Sequence, residues 1–206
     1  MAVTNTQLAQ YALATFGIAP GGFNTTMSTV ADVNGDVGLL NALLKLPASP
    51  FGNMTNNGAF SLALVENVIG SNATAANKNV LVTFLATNLD AGASRGQMVK
   101  ALVDALANMS TSDANWGNAA ATFNNKVNVA EYYTTKAGAA ASTDLTTLTS
   151  VVSSVTKDDA SVTTAKSGID NGYAGYAVQS LTTSTDTVTG TAGNDLISGN
   201  STTFAG

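Results

Sequence analysis

Apolar residues recur every three to four positions over most of the first 170 residues, and that period predicts helices. In the first, Leu8, Tyr11, Ala12 and Phe16 share one face behind an Asn5 cap, and the run stops near Gly17, ahead of Pro20. A Gly- and Asn-rich loop leads to a short helix from about Asp36 to Leu46, with Val37, Leu40, Leu43 and Leu44 inward and Pro47 closing it. Residues 58–70 place Phe60, Leu64, Val65, Val68 and Ile69 in a mostly buried helix ending at Gly70. Residues 73–90 repeat the pattern, and a Ser94 to Gln97 capping box opens the next helix ahead of Met98, Leu102 and Leu106. The longest helix runs from Asp113 to about Lys136 on a stripe of Trp116, Ala120, Phe123, Val127 and Ala130. Two shorter ones carry Leu145, Leu148, Val151 and Val152, then Val162, Ala165 and Ile169 behind Asp158 and Asp159. The fold class is mainly α, with about eight helices.

From Tyr173 the pattern changes to β-branched residues and Gly with no helical period and almost no charge, which reads as strands and turns. The chain therefore divides near Asn171 and Gly172 into a helical domain, 1–171, and a β segment, 172–206. Within that segment Asp186-Thr-Val-Thr-Gly190 and Asp195-Leu-Ile-Ser-Gly199 say nearly the same thing nine residues apart. Residues 190–198, GTAGNDLIS, match the RTX nonapeptide G-G-x-G-x-D-x-U-x at its first, fourth, sixth and eighth positions, with Thr191 in place of the second Gly. Glycine at the turn lets carbonyls converge on one ion, Asp adds a hard anionic oxygen suited to Ca²⁺, and the aliphatic residue starts a strand facing the core of a parallel β-roll. The same letters also suit a plain Gly/Asn/Asp turn between two strands; position and pattern together favour the roll. The candidate calcium residues are Asp186, Gly190, Gly193, Asp195 and Asn200. Each nine residues make half a turn, so a complete site needs loops eighteen residues apart. The position nine after Asp195 is Phe204, so the expectation is that residues 186–199 start a roll without closing a cage, as in the N-terminal part of a longer RTX protein.

Charge narrows the partners. Only 10% of residues are charged, the net charge is −5, and the eight Lys and Arg are scattered singly from Lys45 to Lys166. Nothing resembles the basic stripe that follows a phosphate backbone, so nucleic acid is not expected. No stretch approaches eighteen unbroken apolar residues, and the N-terminus lacks the charged and apolar regions of a Sec signal. With no Cys, neither disulfides nor thiolate sites contribute.

Catalysis has little to stand on, and the chain is not expected to be an enzyme. There is no His and no Cys, which removes triads and zinc sites built on them. Glu66, Asp90, Asp104 and Glu131 remain as carboxylates that could pair as in a glycosidase, yet Glu66 and Asp104 sit singly on amphipathic helices. ADVNGDVG (31–38) spaces Asp32, Asn34 and Asp36 as in an EF-hand loop, but Val37 and Leu43 stand where Gly and Glu are needed. An Asn-Gly turn with Asp36 capping a helix is the better reading. For a saccharide the handles are aromatic: Trp116 lies on the core stripe, whereas one of Tyr132 and Tyr133, and one of Tyr173 and Tyr176, must point outward. With Asn124, Asn125 and Lys126 nearby in sequence, these are the candidate sugar contacts. A surface rich in amides and hydroxyls suits a neutral glycan.

The segment FNNKVNVAEYYTTKAG (123–138), with DAGASRGQMVKALVDALAN (90–108) before it and LTTLTSVVSSVTKDDASVTTAKSGID (145–170) after it, resembles the helical domain that precedes RTX repeats in secreted proteins of Gram-negative bacteria. Its marks are an S-R-x-Q helix start and an F-N-N-K-V-x-V-A-x-Y-Y helix. With LTTSTDTVTGTAGNDLISG directly behind, the arrangement is similar to RTX-type surface-layer proteins. The resemblance spans residues 58–199; the family's aromatic, Gly-Arg-x-Pro-Asp-type loop is weak here, at ATFGIAPGG (14–22). It implies anchoring to lipopolysaccharide O-antigen through the helical domain, a homo-oligomeric lattice formed by a calcium-rich roll, type I secretion and a place on the cell surface. The alternative is the interaction module of an RTX adhesin or exoenzyme.

Overall fold

The computed structural model describes residues 3–172, Thr187, and the strand residues 177–181 and 195–199. Its described residues are mainly helical: α1 (Asn5–Phe16), α2 (Asn24–Leu44), α3 (Asn57–Val68), α4 (Ala75–Asp90), α5 (Arg95–Asn108), α6 (Gly117–Ala137), α7 (Leu145–Ser153) and α8 (Asp159–Asp170). Two strands follow, β1 (Ala177–Leu181) and β2 (Asp195–Gly199).

α1 is the hub, packing against α2, α3, α5 and α6. Every residue from Leu8 to Thr15 is buried, so the helix is enclosed on all sides rather than on the one face its strongest apolar residues mark. The small residues Ala9, Ala12 and Ala14 make that possible by letting neighbours approach closely. A helix buried at its end must find partners for its last carbonyls. Gly17, in the left-handed conformation, returns its N–H to the Leu13 carbonyl, and the Asn67 amide of α3 donates to Leu13 and Ala14 carbonyls at 3.3 and 2.9 Å. At the other end Thr4, not Asn5, is the cap, closing a capping box with Gln7.

α2 is two helices joined at a kink at Gly35: the half from Asp36 is the one expected, while the half from Asn24 stands where a loop was expected. Its first half reads as loop because Thr, Ser and Asn dominate it, but Met27 and Ala31 supply the buried contacts. Gly35, at φ 69° and ψ 175°, breaks the helix and lets Asp36 turn toward α1. α5 lies against α2: Gly96 donates its N–H to Asn41 Oδ1 at 2.9 Å, and a Cβ on Gly96 would stand 2.7 Å from the Val37 carbonyl. The Ser94–Gln97 capping box forms as expected.

The S-R start has a structural job here. Arg95 lies 4.6 Å above the Phe60 ring, which meets Phe51 edge to face, and its guanidinium donates to the Met54 carbonyl. α6 starts at Gly117, four residues later than the expected Asp113, because Asp113 caps the preceding turn by accepting from Asn115 and Trp116 N–H at 2.8 Å each. Leu145, expected inward on α7, is exposed, while Leu148, Val151 and Val152 are buried.

Candidate functional site

Of the residues singled out as sugar contacts, Asn125 and Tyr132 reach from α6 toward α8 and the turn before it, and both are already engaged. Asn125 donates to the Thr156 carbonyl at 3.0 Å. Tyr132 donates its hydroxyl to Asp170 Oδ1 at 2.5 Å, and Lys136 donates to the same oxygen at 2.6 Å. Lys166 sits 4.8 Å over the Tyr132 ring. These contacts, the Lys136 bond foremost, hold the Asp170 carboxyl below its ordinary range, and the bond to Asp170 pushes the Tyr132 hydroxyl up. Lys126 has no ion-pair partner among the described residues, and burial lowers its pKa. Asn124 is half-buried.

Tyr133 departs from its expected role. Successive helical side chains diverge by about 100°, so with Tyr132 toward α8 its neighbour enters the core, 6% exposed, where its hydroxyl accepts from Ser142 N–H at 3.0 Å. Tyr173 and Tyr176 lie outside the described residues, as do Asp186, Gly190, Gly193 and Asn200. The face between α6 and α8 is a closed polar seam.

The four carboxylates considered for catalysis point to four separate partners: Glu66 to Lys78 at 2.7 Å, Asp90 to Asn57 at 2.8 Å, Asp104 to Lys100 at 2.8 Å and Glu131 to Thr6 at 2.9 Å. Asp32, Asn34 and Asp36 do not converge either. Asn34 donates to the Val30 carbonyl, and Asp36 accepts from Tyr11.

An open site occurs elsewhere. A cleft of about 430 Å³ lies between the start of α4 and the start of α6, lined by Ser71, Asn72, Thr74, Asn77, Asn115 and Asn118 with two alanines. Local chemistry builds both walls. Thr74 caps α4 by accepting from Asn77 N–H, and the Asp113 cap fixes the turn carrying Asn115. Gly117 lets that turn fold onto α6, since a Cβ there would meet the Thr111 carbonyl at 2.4 Å. Asn77 Nδ2 bridges the walls to the Asn115 carbonyl and side-chain oxygen at 3.4 and 3.3 Å. Asn72 is held by Thr122 at 3.1 Å and by the Ile69 carbonyl at 3.0 Å. Sequence reading missed this cleft because its amides come from segments some forty residues apart, with no aromatic to draw attention.

Two apolar concavities also lie among the described residues. One, of about 400 Å³, is lined by Phe16, Ile18, Phe23, Met27, Leu43 and Leu145 among others. The other, about 260 Å³, runs along α4 and α5 to Trp116, flanked by Val80 and Phe84, which are 70% and 55% exposed. Trp116 is thus half-buried at the core's edge rather than within it.

The strands pair in parallel, Ala177 facing Asp195 and Leu181 facing Gly199, an offset of eighteen residues throughout. At the same eighteen-residue offset the sequence GYAGYAVQS (172–180) matches GTAGNDLIS (190–198), a repeat not evident at nine-residue spacing. Gly172, Ala174, Gly175 and Ser180 recur as Gly190, Ala192, Gly193 and Ser198, but Ala177 stands where the second copy has Asp195. Calcium takes six to eight oxygens. The two copies offer one carboxylate between them, which falls short of a complete calcium site.

No family model matches the chain, and neither the curated proteins nor the solved structures provide a match. Among the described residues, no helix is long and apolar enough to cross a membrane.

Proposed function

We propose that the helical domain anchors a surface-layer protein to the O-antigen of outer-membrane lipopolysaccharide, and that the segment behind it begins a calcium-dependent β-roll contributing to a homo-oligomeric lattice on the cell surface. The observation that carries this reading is the eighteen-residue register between β1 and β2. A roll with two nonapeptides per turn needs that offset, whereas a Gly/Asn turn between neighbouring strands gives an antiparallel hairpin. The low charge of the chain also supports it, because a lattice held near a polysaccharide layer gains nothing from strong charge repulsion between copies. Many weak contacts made simultaneously by a lattice hold firmly without any one being tight.

The test is reattachment to cells. Labelled protein should coat cells bearing smooth lipopolysaccharide and leave O-antigen-deficient cells bare. Equal coating of both would sink the anchor reading.

A further inference from the structure

We infer that the cleft between α4 and α6 is a binding site for an uncharged, polyhydroxylated ligand, a neutral saccharide unit. The inference rests on the anchor reading only for the source of that saccharide, the O-antigen. The lining carries the chemical argument. Asn72, Asn77, Asn115 and Asn118 each present a donor and an acceptor on one planar group, and Ser71 and Thr74 add hydroxyls. A sugar ring offers the same mixture of donors and acceptors from its hydroxyls.

The alternatives fit less well. An anion would be drawn to the converging starts of α4 and α6, but no cation lines the cleft. The α4 start is already served by the Thr74 hydroxyl, and the Asp113 carboxylate, on the turn that leads into α6, sets a negative charge next to Asn115 that would repel an anion. The nearest ammonium in sequence, Lys78, is paired with Glu66. An apolar ligand would leave these amides without partners, at a cost a saccharide avoids.

Preorganisation supports a binding role. Asn72 and Asn77 are fixed by hydrogen bonds to Thr122, Ile69 and Asn115, so their remaining capacity is held in place before a ligand arrives. Asn118 is exposed and has no hydrogen-bond partner among the described residues, which leaves its whole amide to a ligand. No aromatic platform lines the cleft, since Trp116 lines the neighbouring apolar groove. Recognition rests on hydrogen bonds alone, so single-site affinity should be weak, with a Kd of about 1 mM or above.

The experiment is an NMR titration of the full chain with methyl mannoside, methyl fucoside and N-acetylglucosamine, each to roughly 100 mM, and with sulfate as the charged control. The side-chain amide signals of Asn77, Asn115 and Asn118 should move with at least one sugar and stay still with sulfate. Asn118→Ala and Asn115→Ala, both at exposed positions, should weaken that response about tenfold while leaving the helical spectrum unchanged. Stationary amides with every sugar, or movement with sulfate alone, would overturn the inference. Sedimentation with smooth lipopolysaccharide separates the two readings. Binding kept by both variants assigns anchoring to another face and overturns the cleft as the site. A cleft that takes sugars in a chain that does not sediment keeps the saccharide site and removes the anchor.

Discussion

Tyr11, fully buried in the central helix, donates its hydroxyl proton to Asp36 across 2.9 Å, at the point where Gly35 breaks α2. Lys100 of α5 stands 3.6 Å from the same carboxylate and 2.8 Å from Asp104, so one small network joins three helices. Tyr11→Phe leaves Asp36 without its neutral donor and should cost about 1–2 kcal/mol in denaturant unfolding.

The same network sets an alkaline limit. Burial, then the bond to Asp36, pushes the Tyr11 hydroxyl well above its ordinary value of 10.0. In the unfolded chain it ionises near that ordinary value, while the folded chain keeps the proton. The unfolded state thus binds fewer protons above pH 10, and stability that is complete below it falls as pH rises. Lys100, raised chiefly by its bond to Asp104, contributes in the same direction. Unfolding free energy measured from pH 8 to pH 11 should fall less steeply in Tyr11→Phe than in the parent; identical slopes would remove Tyr11 as the cause.

Gly21 should tolerate no side chain. Its φ of +51° is already unfavourable for an L-residue, and an added Cβ would stand 2.3 Å from Leu148 Cδ2 and 2.7 Å from the Ser142 carbonyl. Gly21→Ala should cost about 3 kcal/mol from strain and overpacking together. Gly92, with φ +99° but open space around it, isolates the backbone term, and Gly92→Ala should cost only about 1 kcal/mol. Thermal denaturation of the pair distinguishes steric closure from conformational strain.

How much of this was legible depended on whether the deciding interaction was local. The Ser94–Gln97 box and the Gly17 stop are written within a few residues, and both stand as read. The first half of α2 was hidden because its polar residues match a loop and its helix is secured by tertiary contacts of Met27 and Ala31. Adjacent tyrosines announce that one faces out, but only the seat of α8 decides that Tyr132 meets Asp170 while Tyr133 goes inward. The amide cleft was beyond reach, since Asn77 and Asn115 meet only after α3 to α6 have packed.

The α6–α8 seam makes a separate acid-side prediction. Lys136 and Tyr132 both donate to Asp170 and hold its carboxyl below the ordinary range. Carbon-detected NMR titration should therefore find Asp170 still ionised at a pH where a free aspartate has taken up its proton, and Tyr132→Phe should move its midpoint upward. An unchanged midpoint would show that Lys136 alone sets it.

The register of the strands predicts a gain of function. In the proposed roll Ala177 takes the position that Asp195 fills eighteen residues later, so Ala177→Asp would add a second carboxylate at the paired position. Calorimetric titration should show tighter calcium binding in the variant than in the parent, by about tenfold for one added hard ligand. Equal affinity would contradict the roll register.

Anchoring is tested most directly by co-sedimentation of the 206-residue chain with lipopolysaccharide vesicles, with and without O-antigen, in calcium and in chelator. The anchor reading predicts that protein pellets only with O-antigen-bearing vesicles, and that chelator, which withdraws the calcium-dependent lattice and its avidity, lessens pelleting without removing its dependence on O-antigen. Failure to pellet under every condition, or pelleting that ignores O-antigen, would contradict it.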